Sequence, residues 1–104
     1  MEIDQKNQEE KCVYEVWNDY RTHIIGTATI NKTLQHKKLK NINIHRQRRS
    51  KGIGSKLLQR IISDHADSTI VAWVFNERVD WYKRHGFTTD EESENLVKVV
   101  KPSQ

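Results

Sequence analysis

The sequence predicts a mixed α/β (α+β) domain built on one mixed, mostly antiparallel sheet with a βαβ crossover. Three observations carry that expectation. Three short, β-branched runs precede residue 45. An amphipathic helical pattern then leads into a six-residue apolar run, Ile70 to Phe75. Finally, a second short helix is stopped by a glycine and followed by two further strand-like segments. The 104 residues suffice for one core and no second domain. We take residues 1–104 as a single domain, with 1–10 and 102–104 as flexible ends.

Residues 1–10, MEIDQKNQEE, are polar and without period. Cys12–Trp17 alternates as a first strand, and His23–Ile30 as a second, with Asn18 and Asp19 at the turn between them. Leu39–Ile44 reads as a third, with Leu39 out of phase with the Ile42/Ile44 pair. The basic stretch RQRRSKGIG follows, with Ser50 as the expected N-cap of a helix whose apolar face is Leu57, Leu58, Ile61 and Ile62. Thr69–Phe75 reads as a strand buried on both faces, so Trp73 and Phe75 are expected in the core, as is Trp17. Arg78–His85 is a short helix ending at Gly86, with Glu77 and Asp80 facing its positive end. Phe87–Thr89 and Leu96–Val100 close the sheet around an acidic loop, DEESEN.

Composition narrows the function classes. The longest apolar run is far short of the ~20 residues a membrane-spanning helix needs, and no apolar N-terminal signal is present, so no membrane role and a cytoplasmic setting are expected. The single cysteine, Cys12, excludes an internal disulfide and reads as a small buried residue. His36, His65 and His85 do not form a ligand set, so no metal is expected. Residues 20–63 hold eleven Lys and Arg and no Asp or Glu, whereas the remainder holds seven basic and fourteen acidic residues. Such a positive block attracts a polyanion, whether nucleic acid, a phosphate-rich cofactor or an acidic protein.

The junction Ile42–Leu58 is the most informative segment. A strand ends, two glycines follow, and a helix begins. The first amides of a helix lack intrahelical partners and carry the positive end of its dipole. Gly52 and Gly54 clear space before those amides, and Arg46, Arg48, Arg49 and Lys51 add charge, a combination suited to a pyrophosphate. A P-loop is excluded because no GKS or GKT follows, and GxGxxG is absent because position 57 is Leu. A tight turn capped by Ser50, with its basic residues in water, is the alternative.

Arg49, Ser50, Lys51, Gly52, Ile53 and Gly54 resemble the R/Q-x-x-G-x-G/A motif of the GNAT acyltransferase superfamily. Ile42 and Ile44 match the apolar end of its preceding strand. VAWVFN followed by WYKRHGF resembles its second landmark, with Asn76, Trp81, Tyr82, Gly86 and Phe87 in order. The resemblance covers about residues 12–100. It implies acetyl-CoA as cosubstrate and a primary amine as acceptor. The amides of Arg49, Ser50, Lys51, Gly52, Ile53, Gly54 and Ser55 would hold the pyrophosphate. The backbone of Ile42, Asn43 and Ile44 would pair with the pantetheine arm, Asn76 would bind that arm, and Tyr82 would protonate the departing thiolate. The helices that the family usually places between its first two strands have no room in Asn18–Thr22. An open acceptor face of this kind favours a protein amine over an enclosed small molecule, and the acidic loop Asp90–Glu94 would draw a basic one. Asp19, His23 and His45 are the candidate bases. Members of the family are often dimers, so a homodimer is compatible. Two other readings stand beside this one. A nucleic-acid module is disfavoured because no aromatic residue lies between 21 and 63. An inactive CoA-binding interaction protein would bind without turnover.

Overall fold

The computed structural model describes residues 1–33, 35–45 and 52–103. Among these residues seven strands form one sheet in the spatial order β1-β2-β3-β4-β5-β7-β6. In chain order these are β1 (Glu2–Asn7), β2 (Lys11–Trp17), β3 (Ile24–Lys32), β4 (Lys37–Ile44), β5 (Ile70–Phe75), β6 (Thr88–Glu92) and β7 (Leu96–Lys101). Helix α1 (Ile53–Asp64) makes the crossover from β4 to β5; a 3-10 turn (Asn76–Arg78) and helix α2 (Val79–Arg84) join β5 to β6. Every pairing is antiparallel except β4 with β5.

The strand β1 departs from the expected frayed end. Ile3 is its one partly buried apolar side chain, so no hydropathy alternation marks it. It is held by a six-pair ladder with β2 and by charge. Arg21 reaches both Glu2 and Asp4 and stacks its guanidinium 4.7 Å from the centre of the Trp17 ring, which is only partly buried. That guanidinium holds the Asp4 carboxyl below its ordinary range. Arg21 itself adopts φ 56°, in a turn where the Asn18 side chain accepts from the amides of Thr22 and His23. The first two strands are therefore β1 and β2, joined through Gln8–Glu10, which is shorter still than Asn18–Thr22.

The core lies between the sheet and its helices. Cys12, Tyr14 and Val16 of β2, Ala28 and Ile30 of β3 and Leu57, Leu58 and Ile61 of α1 are fully enclosed. The far end of α1 is fastened to β2: Tyr14 Oη donates to Asp64 Oδ2 at 2.8 Å and lies 3.2 Å from His65 Nε2, while Arg60 Nε donates to the same carboxylate at 3.0 Å. Burial, reinforced by Asp64, pushes the Tyr14 phenol far up, and burial with Lys37 nearby holds His65 below its ordinary value.

Two further expectations are corrected. The acidic segment is not all loop, because Asp90–Glu92 belong to β6, where Lys98 of β7 pairs with Asp90 and Glu91. Phe75 is not core; it is 57% exposed, and Trp73 is half-buried.

Candidate active site

The break between β4 and β5 creates the site. Their parallel pairing is confined to Lys37↔Ile70 and Lys38↔Val71 among the described residues. Just beyond, the β3–β4 register shifts: Thr29 pairs with Asn41 but Ile30 pairs with Leu39, so Lys40 is an extra residue on β4. A bulge of this kind bends its strand and increases its twist. The out-of-phase Leu39 is the mark it leaves in the sequence. β4 leans toward β3 and away from β5, and a cleft of about 550 Å³ opens between them.

One wall of the cleft is Lys40, Asn41, Ile42, Asn43 and Ile44; the other is Trp73, Val74 and Phe75. Gly52, Gly54 and Ser55 of the α1 start, together with Arg78, Trp81 and Tyr82, complete it. The amide of His45 donates to Ile25 O at 2.7 Å, toward β3. By strand alternation, the main-chain groups of Ile42 and Ile44 therefore face the cleft, while Asn43 contributes its side chain there and its main chain to the β3 ladder.

Glycine is required at two levels. Gly26 of β3 lets the sheet close behind the site, since a Cβ there would lie 2.6 Å from Ile44 Cδ1. At the helix start, Gly52 is the N-cap in a left-handed conformation (φ 75°); Ser50, the cap expected from the sequence, lies outside the described residues. Among the described residues, apart from its chain neighbours, no heavy atom lies within 4 Å of where a Gly52 Cβ would stand. Among the described residues neither a side-chain cap nor an acidic residue meets the first turn of α1, whose residues Gly54 and Ser55 line the cleft. Gly54 sits where a Cβ would be in ordinary contact, 3.5 Å, with Ile44 Cγ1 and Trp81 Cζ2.

Tyr82 is held by the end of its own helix. Gly86 (φ 92°) donates its amide to Lys83 O, and Phe87 donates to Tyr82 O, which is the Schellman arrangement. The Phe87 ring packs edge-on against Tyr82 with 5.3 Å between centroids, and Trp81 packs edge-on against it at 4.9 Å. Burial pushes the Tyr82 phenol up to about 12, against the opposing effect of Arg78, so the hydroxyl stays protonated at neutral pH. We expect Gly86→Ala, which forces a Cβ into left-handed backbone and within 3.0 Å of Lys101 Cε, to destabilise the chain by about 1–2 kcal/mol. Urea unfolding measures this, and an unchanged midpoint would remove Gly86 from the positioning of Tyr82.

Of the residues expected at the site, Ile42, Asn43, Ile44, Gly52, Gly54, Ser55 and Tyr82 converge on the cleft. Ile53 turns into the core. Asn76 opens the 3-10 turn and is exposed, and it is not among the residues lining the cleft. Arg49, Ser50 and Lys51 lie outside the described residues. Asp19 holds the Met1 amino group, His23 Nδ1 lies 3.0 Å from Thr22 Oγ1, and neither these two nor His45 lines the cleft. Ser55 Oγ is 3.2 Å from His85 Nε2, a histidine kept below its ordinary value by burial and by Arg84. Sequence reasoning missed Asn41, Lys40 and Phe75 as lining residues; the bulge and the departure of β4 expose them.

A parallel strand pair that parts beside a helix N-terminus is the feature on which the cleft is built. The chain matches the acetyltransferase (GNAT) domain family over residues 9–89, and it belongs to that family. No curated protein sequence matches it. Among solved structures it is similar to the ribosomal-protein-S18-alanine N-acetyltransferase of Escherichia coli, with a TM-score of 0.82, 16% identity and coverage of 94% of this chain and 73% of that one. It is also similar to a Corynebacterium glutamicum protein described as histone acetyltransferase HPA2 and related acetyltransferase (TM-score 0.77, 19% identity, 92% of this chain and 66% of that one). The PaiA N-acetyltransferase of Thermoplasma acidophilum, solved in complex with coenzyme A, is a third (TM-score 0.76, 15% identity, 89% and 61%). The chain thus spans less than two-thirds of the length of the last two. Among the described residues no group of three His, Cys, Asp or Glu is placed to hold a metal, and no helix is long and apolar enough to cross a membrane.

Proposed function

We propose that the chain is an acetyl-CoA-dependent N-acetyltransferase acting on a primary amine, on a protein rather than on an enclosed small molecule. The observation that carries this reading is the parting of β4 from β5 beside the first turn of α1, which no described side chain caps. The residues present fit the cosubstrate: space clear of described side chains at Gly52, main-chain groups of Ile42 and Ile44 facing the opening, and a cleft of ordinary ligand size. Acetyl-CoA, when bound, supplies the activated acetyl group.

The chain's own residues then divide the work. The amides from Gly52 to Ser55 receive phosphate charge. The β4 edge aligns the pantetheine arm as an added strand would. The Ile44 end of β4 offers its main chain toward the thioester carbonyl. Tyr82 holds its hydroxyl hydrogen toward the departing sulfur. A phenol near 12 gives its proton outright to a thiolate of ordinary pKa about 8.5 only at a cost of about 5 kcal/mol, so Tyr82 acts chiefly by donating a hydrogen bond. Calorimetry with coenzyme A, followed by mass spectrometry of amine acceptors after incubation with acetyl-CoA, tests the reading. Binding heat with a 42 Da gain on an amine is the expected result; no heat would end it, and heat without modification would leave a binder with no transferase activity.

A further inference from the structure

The acceptor side of the cleft has a chemistry of its own. Ile44 meets the Gly54 position on the helix-bearing face of the sheet, so by alternation Asn41 and Asn43 project to the opposite face. Ala72 and Val74 of β5 belong to the core, so Trp73 and Phe75 project to that opposite face too. No described helix covers this face, and Phe75 is 57% exposed there. Among the described residues the charged ones lining the cleft are Lys40 and Arg78, both cationic and both exposed. Among the described lining residues there is no Asp, Glu or His, and the sequence of residues 46–51, RQRRSK, contains none either. The acidic β6 lies two strands beyond β5, and its Asp90 and Glu91 are engaged by Lys98.

Resting on the transferase reading, we infer that the acceptor is the N-terminal α-amino group of a peptide whose next residues are acidic, and not a lysine side chain. With no Asp, Glu or His among its described lining residues, the cleft favours an amine that arrives already neutral. At neutral pH an α-amine, with pKa near 8, is about 200-fold more often neutral than a lysine amine near 10.4. Lys40 and Arg78 disfavour an ammonium further and attract carboxylates downstream of the amine. The open aromatic surface of Trp73 and Phe75 and the amides of Asn41 and Asn43 suit an extended peptide rather than a free amino acid, which this face would leave uncovered. In the transfer the amine nitrogen forms the C–N bond to the acetyl carbonyl carbon, the C–S bond breaks with its electron pair on sulfur, and the proton lost by nitrogen balances the one gained by sulfur.

The test uses the full chain, acetyl-CoA and three peptides with the same N-terminal residue. One has a free N-terminus followed by acidic residues, one a free N-terminus followed by lysines, and one a blocked N-terminus with a single internal lysine among acidic residues. Site-resolved mass spectrometry gives kcat/KM for each amine, and calorimetry with coenzyme A runs in parallel. The acidic free peptide is expected to exceed the α-amine of the basic one by about tenfold and the blocked peptide by about a hundredfold or more. Lys40→Glu is expected to narrow or reverse the acidic-to-basic ratio. With coenzyme A binding intact, faster modification of lysine, indifference to charge, or no modification of the acidic peptide overturns the inference. Loss of coenzyme A binding would instead overturn the transferase reading beneath it.

Discussion

Acetyl-CoA at a hundredfold excess over its dissociation constant is expected to raise the melting temperature of the wild-type chain by about 10–20 °C and to leave Gly54→Glu unmoved. The first figure follows from about 2.7 kcal/mol of binding linkage on a domain of this size. The second follows from position. Gly54 stands in the first turn of α1, walled by Ile44 and Trp81 at 3.5 Å from the Cβ site. A glutamate there must extend into the cleft and bring a negative charge to the amides that would receive phosphate. The same substitution does not harm the helix, whose N-terminus welcomes a carboxylate, so the unliganded chain should melt normally. Gly54→Ala, whose Cβ fits at ordinary contact distance, should keep most of the rise. Differential scanning calorimetry decides: an equal rise in wild type and Gly54→Glu would detach α1 from cosubstrate binding.

Tyr82→Phe is expected to lower kcat by about 10²–10³-fold while the dissociation constant for coenzyme A changes by less than about threefold. The ring would still pack against Phe87 and Trp81, so the loss isolates the hydroxyl. The pH profile gives a second check. The phenol is pushed up to about 12 and is therefore protonated below that value, so Tyr82 should impose no falling limb on kcat up to about pH 10. Unchanged turnover in the phenylalanine variant, or an alkaline limb that disappears with the hydroxyl below pH 9, would remove this role.

Much of the architecture is written in residue periodicity. Leu57, Leu58 and Ile61 mark the buried face of α1, and Gly86 marks the end of α2, because both features rest on local geometry. The Gly52–Gly54 and Trp81–Tyr82 landmarks found the cleft for the same reason. Other elements are silent. β1 has a single apolar contact and is fixed by a ladder and by Arg21, fourteen residues beyond its end, neither of which leaves a hydropathy signal. β6 is exposed along its whole length, so it reads as loop. The Ile70–Phe75 run looks buried on both faces, yet the departure of β4 leaves Phe75 uncovered. The start of α1 at Gly52 rests on a left-handed backbone conformation, which leaves no hydropathy signal.

The slot between β4 and β5 depends on spacing more than on side chains. β4 carries one residue more than the ladder with β3 consumes, and the parallel rungs end where that surplus begins. The ligand-holding capacity of the domain is in this sense a dislocation in a lattice, much as a missing stitch opens a seam. Drift in the identities of residues 40–43 can proceed with the aperture intact, whereas a change of length in that strand, by a single codon, would take away the reason for the two edges to separate.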